Sequence, residues 1–245
     1  MELLSALALL QPADELALGL FFGGWIGYVN FARWLSQRRV SVLATTNRIR
    51  HAWMLQTTLR EVRILDGAVS QAMASSPSFF ASTTIFLIGG LVAALGADKT
   101  GAATGALVRS LPFAAPTSVG LFDLKLLLLT GLYVHAFFRF TWSMRQYSFG
   151  ALLIGAAPAA EVFREDEAAR QAYAERAGHV MGLAAETFND GLRAIYLSFA
   201  AMLWFMSPLA MMVGTASVIA VLYRREFHSE ILGVLDQHTD HQRPR

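Results

Sequence analysis

The 245-residue sequence contains no cysteine, which rules out disulfides, cysteine-ligated metals and thiol catalysis. Lysine is nearly absent: 18 of the 20 basic residues are arginine, leaving only Lys99 and Lys125. Charge of either sign is scarce, at 16% of residues against about 25% in soluble domains. The thirty residues 194–223 hold no Asp, Glu, Lys, Arg or His. A soluble domain would have to bury such a stretch entirely, whereas ~20 apolar residues already span a bilayer. No HxxxH or HExxH spacing occurs, and His51, His135 and His179 are far apart, with His228, His238 and His241 in a polar tail. There is no glycine-rich phosphate loop, nucleophile elbow or pair of carboxylates within the apolar spans. These absences exclude a metal site and leave no cofactor and no catalytic residues to name. The first sixteen residues lack a basic n-region, so a cleaved signal peptide is not expected. No internal repeat supports an inverted-repeat transporter.

What is present is apolar: 55% of residues are hydrophobic, and mean hydropathy is +0.43. The pattern predicts an all-α integral membrane protein with four transmembrane helices, at about 16–34, 79–97, 119–138 and 194–223, in a single membrane domain covering 1–245. Seven Arg lie between Arg33 and Ser78, against Glu61 and Asp66. By the positive-inside rule, that connection and the one at 141–193 are cytoplasmic, and both termini are periplasmic, in a bacterial inner membrane. Arg224 and Arg225 disagree with this placement, because they follow the fourth span on its expected outer side. Pro208, in the middle of that span, offers two solutions: a kinked long helix, which we favour, or a re-entrant hairpin that returns the C-terminus to the cytoplasm. The cytoplasmic connections read as long helical extensions, about 38–75 and 139–190, with apolar residues from Leu55 to Met73 near helical spacing. The net charge of +2 does not indicate nucleic acid, because the arginines flank apolar spans.

Gly19, Gly23 and Gly27 form a small-residue stripe on the first span, and Gly89 and Ala93 sit on a similar face of the second. Such faces let helices approach closely, either within one chain or between copies in a homo-oligomer. On the third span His135, Arg139, Trp142 and Gln146 share one helical face. Ionisable groups at membrane depth usually face a wet cavity or a protein interior, and these are candidates for a permeation pathway or ligand site. The alternative is that Arg139 snorkels or forms a structural ion pair. Arg50, Asp66 and Arg193 join the list from the flanking segments. Lys125 reads as an interfacial anchor, and Asp123 as a helix cap or part of an outer mouth. Asn189–Asp190–Gly191 reads as a turn before the fourth span.

The strings RIRHAWM (48–54), FFASTTIFLIGG (79–90), AFFRFTWSMRQYSFGALLIGAAP (136–158), FNDGLRAIY (188–196) and VLYRREF (221–227), together with DLKLLLL (123–129), resemble the bacterial and plant membrane-protein family of unknown function DUF599. The resemblance implies a four-helix inner-membrane protein and brings no catalytic residues with it.

The leading functional expectation is an oligomeric channel or transporter for a small ion or solute, favouring anions through its arginines. The competing expectation is a scaffold or regulatory membrane subunit that binds a protein partner on the cytoplasmic side. Membrane lipid is the expected surroundings in both cases.

Overall fold

A computed structural model describes residues 10–36, 38–96 and 118–240. Among these the chain is all-α, with eight helices: α1 Pro12–Ser36, α2 Val42–Thr57, α3 Ile64–Gly96, α4 Val119–Gly155, α5 Ala160–Glu165, α6 Glu167–Met202, α7 Pro208–Phe227 and α8 Glu230–Asp240. The expected outer loop falls mostly outside the described residues.

Local chemistry sets the helix boundaries. Pro12 opens α1, where a missing N–H costs nothing, and Asp14 and Glu15 follow in the first turn, the favourable end of the helix dipole. Ser41 caps α2 by accepting the Ala44 N–H at 3.1 Å. The sequence pattern suggested one helical stretch over 38–75, but the structure breaks it between Thr57 and Ile64. The reason lies in the last turn of α2. Thr57 Oγ1 and Thr58 Oγ1 donate back to the carbonyls of Trp53 and Leu55, and Arg63 Nε donates to the Thr57 carbonyl at 3.1 Å. Terminal carbonyls satisfied by side chains have no need of a further helical turn. The third span does continue as one helix through Gln146, and α4 is 37 residues long.

The favoured kink at Pro208 does not form. Helix α6 ends at Met202, a short 3-10 turn covers Leu203–Phe205, and α7 starts at Pro208, with Ser207 Oγ accepting the Ala210 N–H at 3.0 Å. A side chain built on Gly214 would stand 3.4 Å from the Cα of Ala200. In a single helix those positions would be about 21 Å apart at 1.5 Å per residue. The chain therefore turns back on itself, and Pro208 marks a helical hairpin. Past it, α8 packs on α2, and the Leu43 N–H donates to Glu226 at 3.1 Å.

The chain divides into two compact units. The first comprises Met1–Trp34, Ser82–Phe137 and Leu192–Tyr223, and the second Leu35–Ala81, Phe138–Gly191 and Arg224–Arg245. In the first unit, Ala17 and Phe21 of α1, Leu129 and Leu132 of α4, Leu197 of α6, Trp204 at the hairpin tip and Met211 of α7 form the core. In the second, the rings of Phe80, Phe140 and Phe188 meet at 5.4–5.8 Å between centroids. A second cluster there joins Met54, Ile154, Ala174 and Ala177.

Among the described residues, only α3 and α4 carry a stretch apolar enough, by length and composition, to cross a membrane. The expected first span is helical as α1, and the fourth is the hairpin, but neither has such a stretch. In α3 only 11% of that apolar window is buried, and Phe86 is 80% exposed.

Candidate functional site

The polar groups gather in two places, one in each unit. In the second unit Asp66, in the first turn of α3, is 1% exposed. Its Oδ1 accepts three hydrogen bonds: from Trp53 Nε1 at 2.7 Å, Thr57 Oγ1 at 3.1 Å and Arg60 Nη1 at 2.5 Å. Its Oδ2 is buried and finds no partner among protein groups. Ser70, one turn further along the same face, is equally buried, and its Oγ is also unpartnered. An unmet buried acceptor typically costs about 1–3 kcal/mol, so two on one helix face need a reason.

Arg50 approaches the same interior from α2. Its Nη1 donates to Asn47 Oδ1 at 2.7 Å and to Thr46 Oγ1 at 3.1 Å, while its Nε is buried without a partner. Burial pushes the guanidinium below its usual value, against the opposing pull of Tyr147 and then Glu186. Tyr147 packs with Met181, Ala184, Trp53 and Met73, which brings α2, α3, α4 and α6 together around this region.

The His135–Arg139–Trp142–Gln146 face does not line one enclosed path within a single chain. His135 is exposed and meets the Trp25 ring edge-on at 5.4 Å. Trp142 is 50% exposed. Arg139 forms an ion pair with Asp190, so the Asn189–Asp190–Gly191 segment is helical and supplies a charge partner rather than a turn. Gln146 alone of the four is well buried, and its Oε1 is unpartnered. Arg193 stacks over the Tyr28 ring at 5.8 Å, in the first unit.

The first unit holds a cluster that the sequence reading missed. Lys125, expected as an interfacial anchor, is only 4% exposed. Its Nζ lies 5.4 Å from the Trp204 ring and 5.7 Å from that of Phe205. Asp14, 3% exposed, supplies the opposing charge and accepts from Trp204 Nε1 at 2.7 Å. This bond ties the hairpin tip to the start of α1. One signal was available in the sequence: two rare opposite charges placed at the same expected end of two spans.

The glycine stripe does not pack inside the chain; Gly24, next to it, does, where an added Cβ would stand 2.9 Å from Ile219 Cδ1. Gly19, Gly23, Gly27 and Gly89 face open space, with nothing within 4 Å. Ala93 is exposed on the same helix as Gly89. A pocket between α2 and α6 is lined by Asn47, His51, Glu175 and His179, but no group of three metal-ligating side chains among the described residues is placed to hold a metal ion.

A search of curated proteins and of solved structures finds no match to this chain. A family model described as a protein of unknown function, DUF599, matches residues 16–231, and the chain belongs to that family.

Proposed function

We propose that the chain is a multi-pass membrane protein that conducts or carries a small ion or solute through a wet interior built from α2, α3 and α4 in the second unit. The observation that carries this reading is that, of the seven buried side-chain polar atoms with no protein partner among the described residues, five lie on α2, α3 and α4: Arg50 Nε, Asp66 Oδ2, Ser70 Oγ, Arg139 Nε and Gln146 Oε1. A folded chain keeps such atoms where water or a solute completes their bonding. Arginine on this lining favours an anion.

The exposed apolar length of α3 supports the membrane setting. The hairpin supports a revised topology, in which residues 194–223 enter and return so that Arg224 and Arg225 fall on the same side as the seven arginines of 33–78. That removes the one conflict with the positive-inside rule and puts the C-terminus in the cytoplasm and the N-terminus outside. The absence of cysteine makes this easy to test. With a membrane-impermeant maleimide on intact cells, Glu15→Cys should label and Gly233→Cys should not, until the cells are permeabilised. The outward Gly89 and Ala93 on α3 support assembly of several copies along that helix.

Flux through liposomes, with Cl⁻ and K⁺ gradients tested separately, tests conduction. Selective flux that falls in Arg50→Gln and Gln146→Ala is the expected result. Flux that is unaltered in both would remove the pathway from this interior. The scaffold reading has one observation of its own: Val62, Ile64 and Leu65 expose their side chains at the start of α3, where a protein partner could cover them. Recovery of a stoichiometric partner whose binding is lost in Leu65→Asp would favour it.

A further inference from the structure

We infer that the groove between α1 and α7 seats one acyl chain of an anionic phospholipid, with Arg193 holding its phosphate; this rests on the membrane setting proposed above. The groove lies wholly within the first unit and has a volume of about 640 Å³. That falls in the range of roughly 300–1,000 Å³ found for small-molecule sites. Its floor is glycine and alanine: side chains added at Gly23 or Gly27 would meet nothing within 4 Å, and Ala216 and Ala220 face them. The lining from Gly23 to Phe31 runs about 12 Å along α1 at 1.5 Å per residue, close to the depth of one leaflet of a ~30 Å hydrocarbon core.

The two ends of the groove differ. Towards Gly23 it is lined by small and aliphatic groups. The other end is closed by Tyr28, Phe31 and Tyr223, with the Phe31 and Tyr223 rings 6.2 Å apart. A basic group stands at this aromatic end: Arg193 lies over the Tyr28 ring. An apolar channel one leaflet deep, with an aromatic rim and a guanidinium beside it, matches a phospholipid: chain inside, anionic phosphate at the rim.

The test uses the full chain, purified in mild detergent and titrated with dioleoyl phosphatidylglycerol or dioleoyl phosphatidylcholine while native mass spectrometry counts the lipid retained. The wild type should retain one phosphatidylglycerol at a concentration severalfold lower than phosphatidylcholine. Gly27→Leu, which fills the floor, should abolish retention of both. Arg193→Gln leaves the groove open and should reduce the preference roughly fivefold, the scale of one basic residue against an anionic lipid. Equal retention of the two lipids by the wild type, or unchanged retention in Gly27→Leu with an unaltered melting curve, would overturn the inference. So would a wild-type dimer that Gly27→Leu converts to monomer while lipid retention persists, because the groove would then belong to a second copy. A chain released from membranes by alkaline carbonate would overturn the membrane setting as well, and that result is distinct from failure of the groove alone.

Discussion

The two units treat buried polarity in opposite ways. In the first, the polar groups that leave solvent find partners. Asp14 accepts from Trp204, Ser198 donates to the Ile195 carbonyl at 2.7 Å and meets the Tyr133 hydroxyl at 3.1 Å, and Thr215 bonds back to the Met211 carbonyl. In the second, the interior keeps unpartnered atoms: among the described residues, every buried side-chain polar atom without a protein partner lies in this unit. Both units leave large apolar side chains exposed, so apolar exposure does not separate them. Partnering does. In hydrocarbon an unmet polar group has no water to turn to, and pairing is compulsory. Where water reaches an interior, an unmet protein bond is completed by solvent at little cost. This difference is what the proposed function predicts, with the first unit in the bilayer and the second admitting water.

The sharpest way to break this contrast is to unpair the first unit. Lys125→Met keeps most of the side-chain volume but leaves Asp14 buried without its opposing charge. We expect a loss of about 3 kcal/mol, because Asp14 would be left a buried charge with no opposing charge nearby, read as a lower melting temperature in detergent. The double variant Lys125→Met with Asp14→Asn should recover most of that loss, because the asparagine still accepts from Trp204 and no lone charge remains. A double variant as unstable as the single one would show that packing, not charge pairing, governs this cluster.

The next largest effect belongs to the second unit. Asp66→Ala removes the acceptor of Trp53 Nε1 and Arg60 Nη1, while the Thr57 hydroxyl keeps the Trp53 carbonyl. Two donors at a dry site would cost far more than two donors near water. We expect a loss of roughly 2–3 kcal/mol, smaller than that for Lys125→Met despite the greater number of bonds broken. A larger loss would place Asp66 in a dry interior and weaken the contrast between the units. Below it in size, Gly214→Val should cost about 1–3 kcal/mol by wedging the hairpin arms apart at Ala200 and Leu203. Gly19→Ala, on the open stripe, should leave the melting temperature unchanged.

The sequence made the helices legible because apolar length and the positions of charge are local properties. Pro12 and Ser41 are residue types that favour a helix start where they stand. The hairpin was legible only as an alternative, because a proline after a serine serves equally as a kink or as the first residue of a new helix. The deciding contact, Gly214 on Ala200, is one that neither residue announces. The arginine pair at Arg224 and Arg225 was the better clue, since it contradicted the topology that a straight helix required. The candidate site was legible in part. Arg50, Asp66 and Gln146 do lie in the second unit's interior, but His135 and Trp142 face outward, because one helical face of a long helix can pass from core to surface along its length. Lys125 was misread because a lysine near the end of an apolar span usually snorkels, and its partner Asp14 belongs to another helix far away in sequence.

A comparison of two buried serines discriminates most finely. Ser198 and Ser70 are both fully buried serines, one in each unit. Ser198→Ala removes a hydroxyl that meets Tyr133, leaving a phenol short of a partner, and should cost about 1 kcal/mol. Ser70→Ala removes a hydroxyl that has no protein partner to lose. If the surroundings of Ser70 are dry, deleting an unmet polar group relieves its desolvation penalty, and the variant should be more stable by about 1–3 kcal/mol. If water completes its bonding, one hydrated bond is exchanged for none, and stability should change by about 0.5 kcal/mol or less. We expect the second outcome, with Ser198→Ala clearly destabilised in the same buffer. A marked stabilisation by Ser70→Ala would mean that the unpartnered atoms of the second unit are strain held in a dry core, and the wet interior on which conduction depends would be lost with it.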